Sequence, residues 1–591
     1  MYYKRHSIKT SLYIFSTVIG IIGFFLALQI GNAKAATFEL LKSSSSSRSN
    51  AVPLANASVA GNIYAFVSPE TGISKVSFYL NNLMMGGGPR QVENFGPWDF
   101  AGGSTTAANP SNTHAFANGS NTISARITLT SGGTQVINTP FTVNNGTTTP
   151  VPSSDWGTYL KPFAANSPWN SRPVAPVFGQ FVIPTSSYFP SVAEGAYSTG
   201  IFLSTATDAA VTVKGLPGTK GLWNPDDETY HDVKIPRWPS IVKAATGNDG
   251  HADIVDPVSG IMHSFWQLKY QDGQWVAAQY AWSRIDGRGW GDPAHYFQGA
   301  RAAGVPTGAG LMRKHEIADD DVLYRHALAM SLTYNGLSPK PAYIFPATAA
   351  DSSASQNTGI VPEGALMMLP TSFNTQQISS LALRKVAETL KVYGAYVVDR
   401  NYGTPFVIYV ENGSGFNLHN GGWDTKVASE LDLIRKSLRQ VVAVSGWLDG
   451  NGQTSSLSRN FNLLSMRGPW QLQWGSTVAG VYDSWAQAVV FPKTLTPSVQ
   501  VNWNVGVNRV YWAIPNAGTA YQLTAQTQGG GKLRLKVLDK DKKTAYDSGE
   551  LENGETVAFD WPAQSANVVV YAISGVGESS LVRGKLIKLE Q

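Results

Sequence analysis

A β-hairpin is predicted near the middle of the chain, in the sequence Asn248-Asp-Gly-His-Ala-Asp-Ile-Val-Asp-Pro-Val-Ser-Gly-Ile-Met-His-Ser-Phe-Trp-Gln-Leu268. The Asn-Asp-Gly at its start and the Asp-Pro-Val-Ser-Gly in its middle are typical turn sequences. The runs between and after these turns are short and rich in β-branched and aromatic residues, as strands are. Antiparallel strands are therefore the expected framework of this part of the chain.

The register of this hairpin decides which polar side chains meet. Alternate residues of a strand share one face, so His251 and Asp253 are expected on the same face, about 6 to 7 Å apart. If Val255 pairs with Ile261, Asp253 stands opposite His263, and an imidazole and carboxylate cluster forms. A slip of one residue would put the serine that follows His263 in that place instead.

On the N-terminal side, short strands separated by turns predict an immunoglobulin-like β-sandwich over residues 53–146. Its strands are expected at 62–67, 75–80, 121–129 and 135–143. The serine-rich stretch 36–52 contains too few apolar residues to bury a core and predicts a spacer ahead of the sandwich. The Thr/Pro-rich stretch 147–155 predicts a linker behind it, because proline restricts the backbone and blocks helix formation.

The rest of the chain is expected to form two further domains. Residues 156–459 predict a central β-rich α+β domain, and residues 460–591 predict a second β-sandwich with carbohydrate as its candidate ligand. The central domain should contain a helix at 374–393, with Asn374 as its N-cap and Gly394 ending it, and another helix that begins at Asp424. The predicted fold class is thus mainly β.

The composition excludes some classes of function. Charged residues make up only 14% of the chain, below the roughly 25% of ordinary soluble domains. The net charge is +5, and it falls to about +1 when the four basic residues of the predicted leader are removed. Such a surface does not suit nucleic acid, whose recognition depends on clustered Lys and Arg. The chain has no cysteine, which excludes disulfides, thiol nucleophiles and zinc-thiolate sites.

The pattern of residues 1–35 is typical of a signal peptide. Basic residues at positions 4–9 precede an apolar run at 12–28, and Ala33-Lys-Ala35 predicts cleavage before Ala36. An uncleaved N-terminal anchor is the alternative, because about 20 apolar residues can span a bilayer. In both cases the remainder is expected to be secreted, periplasmic or at the cell surface, with no stable membrane insertion once the leader is removed.

Strand ends in the central domain supply further candidate catalytic residues. His326 opens the apolar strand 326–332, Asp351 follows the strand-like segment 342–348, and Asp399 and Arg400 end the strand 395–398. Catalytic groups are common where strands run into loops, although caps and turn acceptors are commoner there. A histidine on an apolar face is also explained as a core residue. Glu363 is a weaker candidate, because a turn accounts for it.

Tryptophan is a second signal of function. Seventeen tryptophans occur in this weakly charged, glycine-rich chain. Indole rings can stack on sugar faces while polar neighbours bind hydroxyl groups. For any one tryptophan a place in a β-sandwich core is the simpler explanation, but their number favours carbohydrate. The candidate substrate-binding residues are Tyr197, His263, Trp266 and Arg400.

Several other chemistries have no support in the sequence. The chain has no Gly-x-Ser-x-Gly elbow, no P-loop and no His-Glu-x-x-His motif. His251, Asp253 and His263 carry groups that suit several divalent ions. Nevertheless, neither a metal nor a cofactor is predicted.

Six segments of the central domain resemble, in their order, a family of secreted bacterial multidomain proteins. They are Ala165-Asn-Ser-Pro-Trp-Asn170, Asn248-Asp-Gly-His-Ala-Asp-Ile-Val-Asp256, Gly304-Val-Pro-Thr-Gly-Ala-Gly-Leu-Met-Arg313, Arg325-His-Ala-Leu328, Tyr343-Ile-Phe-Pro-Ala-Thr348 and Tyr393-Gly-Ala-Tyr-Val-Val-Asp-Arg400. The resemblance implies the domain and not a particular reaction. The flanking modules are similar to those that accompany polysaccharide-active enzymes.

The sequence therefore favours a secreted enzyme that cleaves glycosidic bonds of an extracellular polysaccharide. Hydrolysis needs one carboxyl group as acid and a second as base or nucleophile. The catalytic candidates are His251, Asp253, His326, Asp351 and Asp399. If the polymer is a uronate, a lyase could instead use a histidine or Tyr197 as base, with Arg400 neutralising the carboxylate. The alternative outside catalysis is a polysaccharide-binding surface or matrix protein.

Overall fold

The computed structural model describes residues 37–143 and 156–589, apart from 84, 86–88, 114, 115, 117, 118, 320, 458, 459, 474–476, 504, 505 and 508. The predicted leader and the predicted linker at 147–155 lie outside the described residues. The chain divides into two compact units, one ending at Thr149 and the other beginning at Pro150. The fold is mainly β, as predicted. In the described part of the chain, no helix has the length and apolar character needed to cross a bilayer.

The first unit is a β-sandwich. Its strands are β1 (Glu39–Ser43), β2 (Val52–Pro53), β3 (Ser58–Val59), β4 (Asn62–Ser68), β5 (Ile73–Leu80), β6 (Gln91–Glu93), β7 (Ser111–Asn112), β8 (Gly119–Leu129) and β9 (Thr134–Val143). They form a sheet of order β2-β1-β4-β7 and a sheet of order β3-β9-β8-β5-β6. Both sheets contribute to one core, in which the ring of Phe78 packs edge-on against that of Phe100.

The predicted spacer at 36–52 was wrong, because β1 and β2 belong to the sandwich. Strand β1 pairs along its whole length with β4, and Leu40 is buried in the core. The serines after it form a closed turn in which the hydroxyl of Ser43 donates to the carbonyl of Ser49. Local side-chain hydrogen bonds of this kind let a polar segment join a folded domain without burying apolar side chains of its own.

The central part of the second unit contains twenty strands and three described helices. The strands are β10 (Arg172–Val174), β11 (Val177–Phe178), β12 (Ser191–Ala193), β13 (Ile201–Leu203), β14 (Val211–Gly215), β15 (Leu222–Asn224), β16 (Thr229–His231), β17 (Val233–Ile235), β18 (Ala252–Asp256), β19 (Ile261–Trp266), β20 (Lys269–Gln271), β21 (Gln274–Ala277), β22 (Gln279–Arg284), β23 (Leu328–Thr333), β24 (Leu366–Met368), β25 (Ala395–Asn401), β26 (Phe406–Tyr409), β27 (Arg439–Ala443), β28 (Gly446–Leu448) and β29 (Thr454–Ser455). The helices are α1 (Lys314–Ile317), α2 (Leu381–Val392) and α3 (Thr425–Ser437).

A seven-stranded sheet of order β11-β27-β24-β25-β23-β26-β12 forms the middle layer of this domain. Its central strands β23 and β25 are parallel, and alternate side chains along them enter two different cores. On one face, Met330 and Val397 pack with the apolar sides of α2 and α3. On the other face, Ala329 and Val398 pack with side chains of a six-stranded sheet of order β13-β18-β19-β22-β15-β16. The candidate site lies where β23 and β25 end.

The two predicted helices are present, with one difference at a start. Helix α3 begins directly after Asp424, whose side chain accepts hydrogen bonds from two backbone amides, as predicted. Helix α2 begins at Leu381 and not near Asn374, because Asn374 caps a separate 3-10 turn. The hydroxyl of Ser380 accepts from the amide of Leu383 and is the true N-cap.

The C-terminal part of the second unit is a second β-sandwich. Its strands are β30 (Gln471–Leu472), β31 (Val481–Asp483), β32 (Ala488–Phe491), β33 (Val499–Asn502), β34 (Ala520–Gln528), β35 (Lys532–Leu538), β36 (Thr544–Asp547), β37 (Thr556–Asp560), β38 (Asn567–Ile573) and β39 (Ser580–Lys588). They form sheets of order β30-β33-β38-β35-β36 and β31-β32-β39-β34-β37, which share one core.

Buried polar contacts join this sandwich to the central domain. Arg467 forms an ion pair with Asp226, at 3.3 Å between Nε and Oδ1, and both side chains are almost completely buried. His295 lies on the other oxygen of Asp226, at 3.2 Å. The indole N–H of Trp512 donates to the carbonyl of Ala347, at 2.8 Å. Charged groups buried without such partners would be strongly destabilising, so these contacts tie the two domains into one folding unit.

Candidate functional site

A cavity of about 640 Å³ opens at the carboxyl ends of β23 and β25. Four carboxylate residues line it: Glu194, Asp249, Asp351 and Asp399. Four tyrosines line it as well: Tyr188, Tyr197, Tyr402 and Tyr409. Loops that follow strands commonly carry functional residues, and a cavity of this volume is large enough for a small-molecule or sugar ligand.

A β-bulge aims Asp399 at the cavity. Met330 of β23 pairs with Val397, but the next residue, Ser331, pairs with Asp399, so Val398 is the extra residue. Bulges of this kind redirect side chains and are frequent beside functional sites. The bulge therefore sets the direction of the carboxyl group at the end of β25.

Asp351 and Asp399 form a carboxyl pair. The backbone amide of Arg400 donates to Oδ2 of Asp351 and to Oδ1 of Asp399, at 3.0 Å in each case. These two oxygens are therefore no more than about 6 Å apart, twice the bond length. The two carboxyl groups are therefore close enough to affect each other's ionisation.

The pKa values of both carboxyl groups are raised. Burial raises the pKa of Asp399 to about 7, and repulsion from Asp351 adds to this, while the charge of Arg301 opposes it. Burial also raises the pKa of Asp351, and the negative charge of Asp249 acts in the same direction. Two like charges at this distance do not ionise independently, so the pair titrates as a unit. It can hold one proton near neutral pH.

Arg301 binds the carboxyl pair through Asp399. No motif in the sequence marked Arg301 as a candidate residue. Its side chain is buried, and Nη1 donates to Oδ2 of Asp399 at 2.9 Å. The guanidinium carbon lies 4.0 Å from the centre of the Tyr409 ring, a cation–π distance. Nη2 donates to the carbonyl of Tyr197 at 3.4 Å. Arg301 thus fixes Asp399 and one wall of the cavity together.

Glu363 is a third carboxyl group beside the pair. It is only 1% exposed, and its Oε1 accepts a hydrogen bond from the amide of Asp351 at 3.1 Å. Its Oε2 has no hydrogen-bond partner. Burial raises the pKa of Glu363 well above its ordinary value, and the charges of Asp351 and Asp399 raise it further. The sequence offered only a weak signal here, because Pro362 and Gly364 are equally typical of a turn.

His251 and Asp253 lie behind Arg301 and do not line the cavity. Asp253 is completely buried and accepts hydrogen bonds of 2.6 Å from the hydroxyl of Thr307 and the amide of Gly308. Burial raises the pKa of Asp253 to about 6 despite these donors. Burial lowers the pKa of His251 to about 3, and the charge of Arg301 lowers it as well. Neither residue lines the cavity, so neither is placed to touch a ligand there.

The predicted cluster around His263 was wrong, because the hairpin has the other register. Asp253 pairs with Ser264, and His263 pairs with Ile254 on the opposite face. There its Nδ1 lies 2.8 Å from the hydroxyl of Tyr280, and burial lowers its pKa to about 4. Apolar residues on both faces of the buried strands make the two registers hard to distinguish from sequence.

Trp266 does not line the cavity, but it contacts a residue that does. Its indole N–H donates to Oδ1 of Asp249, a cavity residue, at 3.1 Å. Trp169 and Trp290 are buried in the interior, where their rings stack with centres 5.3 Å apart. The core explanation therefore holds for these two rings.

His326 lies in a second cavity of about 310 Å³. It precedes β23, whereas Ser331 at the other end of that strand lines the first cavity. Its Nε2 lies 3.1 Å from Oε2 of Glu316. Burial acts to lower the pKa of His326, but the Glu316 charge and hydrogen bond raise it overall. The structure thus does not bring His326 together with the carboxyl pair.

The structure assembles four of the nine candidate residues in one cavity. Asp351, Asp399, Arg400 and Tyr197 line it. The other five, which are His251, Asp253, His263, Trp266 and His326, do not. Over the described ranges of the chain, no three His, Asp or Glu side chains are grouped so that they could hold a metal ion.

Comparisons with known proteins add little to this picture. No family model and no curated protein matches the chain. Among solved structures, a Gap123 glycosylation-associated protein complex from Streptococcus agalactiae aligns at 12% identity over 21% of this chain and 45% of that one, with a TM-score of 0.16. The N-terminal endo-1,4-β-D-xylanase 10B modules of Clostridium thermocellum, with xylohexaose, align at 10% identity over 22% and 28% of the chains, with a TM-score of 0.14. This chain covers less than half of both proteins.

A third solved structure aligns over nearly the full length of both chains. It is SGBP-B of the Bacteroides ovatus mixed-linkage glucan utilization locus, in complex with a mixed-linkage heptasaccharide. The identity is 10%, the alignment covers 93% of this chain and 99% of that one, and the TM-score is 0.12. Two of these three solved structures are thus complexes with carbohydrate, but at such TM-scores the similarities carry no argument.

Proposed function

We propose that this chain is an extracellular carbohydrate-active enzyme that hydrolyses glycosidic bonds of a neutral polysaccharide at Asp351 and Asp399. The observation that carries the proposal is the carboxyl pair with raised pKa values in a cavity lined by four tyrosines. Export belongs to the same proposal, since it depends on the leader predicted at 1–35.

The pair can supply the two groups that hydrolysis requires. The protonated carboxyl group donates its proton to the leaving oxygen, and the other carboxylate acts as base or nucleophile. The spacing of at most about 6 Å between one oxygen of each is less than the 6.5 to 9.5 Å that inverting enzymes keep for a water molecule. This spacing argues against the inverting geometry.

Hydrolysis has more support than elimination from a uronate. A lyase needs a free cation for the sugar carboxylate, but Arg301 is paired with Asp399, and Nη1 of Arg400 donates to the carbonyl and hydroxyl of Ser353. Of the candidate bases for elimination, His251 and His326 do not line the cavity, whereas Tyr197 does. The surrounding carboxylates would also repel a polyuronate.

The tyrosines suit a sugar ligand. Tyr188, Tyr197 and Tyr402 line the cavity with 55% or more of their surface exposed. An exposed aromatic ring can bury the C–H face of a sugar, and its hydroxyl can bind a sugar hydroxyl. The proposal therefore expects binding by these rings and cleavage by the carboxyl pair.

The direct test is to incubate the protein with soluble polysaccharides and to measure both reducing ends and the absorbance of unsaturated uronates. The panel should contain mixed-linkage β-glucan, arabinoxylan and galactomannan, with alginate and pectate as charged polymers. New reducing ends that disappear in Asp351→Asn and Asp399→Asn, but persist in Asp286→Asn, would support the proposal. Asp286 is a suitable control because its carboxylate is more than half exposed and pairs only with Arg284. Unsaturated products would instead refute hydrolysis.

The ion pair between Arg301 and Asp399 favours one other function, a non-catalytic polysaccharide-binding protein. In that case the carboxyl pair would be structural, held by Arg301 and by the amide of Arg400. The same panel distinguishes the two functions. Binding of a polymer without any release of reducing ends would favour the binding protein.

A further inference from the structure

Exposed aromatic rings occur on the surface beside the cavity. Tyr188 lines the cavity, and the ring of Phe189, the next residue, lies 5.3 Å from that of Trp423. Trp423 stacks on His419, with ring centres 4.6 Å apart and planes at 11°. Tyr188, Phe189 and Trp423 are 62%, 53% and 60% exposed. We name these four residues the aromatic strip.

The aromatic strip is held in place by the backbone around it. The amide of Tyr188 donates to the carbonyl of Gly403 at 2.9 Å. Gly403 has a φ of +82°, and a Cβ at this position would lie 3.2 Å from the Tyr188 ring, so glycine allows the ring to pack there. Nδ1 of His419 accepts a hydrogen bond from the amide of Asp424, the N-cap of α3, at 3.1 Å. The rings are therefore organised before a ligand arrives, which reduces the entropy lost on binding.

The composition of the aromatic strip suits sugar rings. Single exposed aromatic residues are normal on protein surfaces, but adjacent ones that leave large faces in water indicate a binding surface. The rings of the strip offer flat faces for the C–H groups of a sugar. The strip also joins the cavity at Tyr188, so one ligand can occupy both only if it extends beyond the cavity.

We propose that the aromatic strip binds sugar units of the same polysaccharide chain whose glycosidic bond lies in the cavity. This rests on the proposed function, and it specifies the substrate class as a long, neutral polymer. Short oligosaccharides would fill the cavity without reaching Trp423. The strip then contributes to polymer binding only.

The test compares polymer and oligosaccharide binding in an Asp351→Asn background, in which turnover is absent. The probes are mixed-linkage β-glucan, arabinoxylan and galactomannan, each beside its own trisaccharide, measured by affinity electrophoresis and calorimetry. Trp423→Ala and Phe189→Ala are compared with Tyr270→Ala. Tyr270 is a matched control because it is 63% exposed and lines neither of the two cavities. Both substituted side chains are surface rings, so circular dichroism should show a native fold.

We expect Trp423→Ala and Phe189→Ala to weaken polymer binding roughly five- to tenfold, the effect of one lost aromatic contact. Trisaccharide binding should stay unchanged, and Tyr270→Ala should change neither. Equal losses for polymer and trisaccharide, or no loss for the polymer, would overturn the proposal. If Trp423→Ala instead abolishes self-association on gel filtration and leaves polymer binding intact, the strip is an interface between copies and the proposal fails.

Failure of the proposed hydrolysis gives a different experimental result from failure of the proposal about the aromatic strip. If the wild-type protein binds a polymer through Trp423 but never releases reducing ends, hydrolysis is refuted and the binding role of the strip stands. If the wild-type protein cleaves a polymer and the strip variants cleave it with unchanged KM, the enzyme stands and the strip does not contribute.

Discussion

Glu363→Gln should make the protein more stable as the pH rises, relative to the wild type. Burial, together with the charges of Asp351 and Asp399, raises the pKa of Glu363 well above its ordinary value of 4.5. Above pH 4.5 the unfolded state releases this proton while the native state keeps it. The wild-type protein therefore loses stability with increasing pH, by about 1.4 kcal/mol for each pH unit over which this difference persists.

The substitution Glu363→Gln removes this pH-dependent loss of stability and changes few other contacts. Glutamine has the same shape, and its oxygen can still accept the 3.1 Å hydrogen bond from the amide of Asp351. The other atom replaces Oε2, which has no partner. We expect the two proteins to have free energies of unfolding within about 1 kcal/mol at pH 5. At pH 7 the variant should be the more stable one, by as much as about 2.7 kcal/mol if the native state keeps its proton over both pH units.

Urea unfolding at pH 5, 6 and 7 measures these differences. The control is Glu411→Gln, because Glu411 is equally buried but forms an ion pair with Arg313, at 2.9 Å. That variant leaves a buried cation without its partner, so it should lose about 3 to 5 kcal/mol at each pH. A difference between wild type and Glu363→Gln that stays constant from pH 5 to pH 7 would refute the reasoning about Glu363.

Three further predictions concern the two cavities and the core. His326→Gln should lower stability by about 3 kcal/mol, because it leaves Glu316 buried without its partner, yet folded protein should keep its turnover within about twofold; a large loss in kcat would place His326 in the catalytic machinery. Gly310→Ala should lower the melting temperature sharply, since φ is +66° and the new Cβ would lie 2.4 Å from the Trp169 ring; an unchanged transition in calorimetry would contradict this. Tyr402→Ala should weaken binding of oligosaccharide and polymer alike with stability unchanged within about 0.5 kcal/mol, because this cavity ring is 92% exposed; wild-type affinity in calorimetry would exclude it from the site.

The sequence was sufficient to predict the fold class and much of the strand pattern. Alternating residues at 532–537 predict a strand, and β35 has the expected alternation of buried and half-buried side chains. The prediction for the serine-rich segment 36–52 was wrong, because the structure of this segment depends on the pairing of β1 with β4 and not on its own composition. Period-two patterns are local, whereas the partner of a polar segment is set by the rest of the sheet.

The candidate site was predictable only in part, for a similar reason. Asp399 lies near the end of a strand that the sequence predicts. The strand-like segment predicted at 342–348, ahead of Asp351, was wrong, because it forms turns with one isolated bridge at Tyr343; both carboxyl groups nevertheless line the cavity. Arg301 belongs to no motif, and only the packing of the chain places its charge beside Asp399. His263 had the right chemistry but lies on the opposite face, because the hairpin pairs Asp253 with Ser264. Strand registers and ion pairs between distant residues depend on the whole fold, so the spacing of residues in the sequence does not predict them.

The ion pair between Arg467 and Asp226 has a consequence for experiments that truncate the protein. A gene fragment ending near residue 459 would remove Arg467, the cationic partner of Asp226, and would remove the hydrogen bond from Trp512 to the carbonyl of Ala347. Such a fragment should accumulate as insoluble material even though its own sheets are complete. Binding and activity measurements are therefore best begun with the intact second unit.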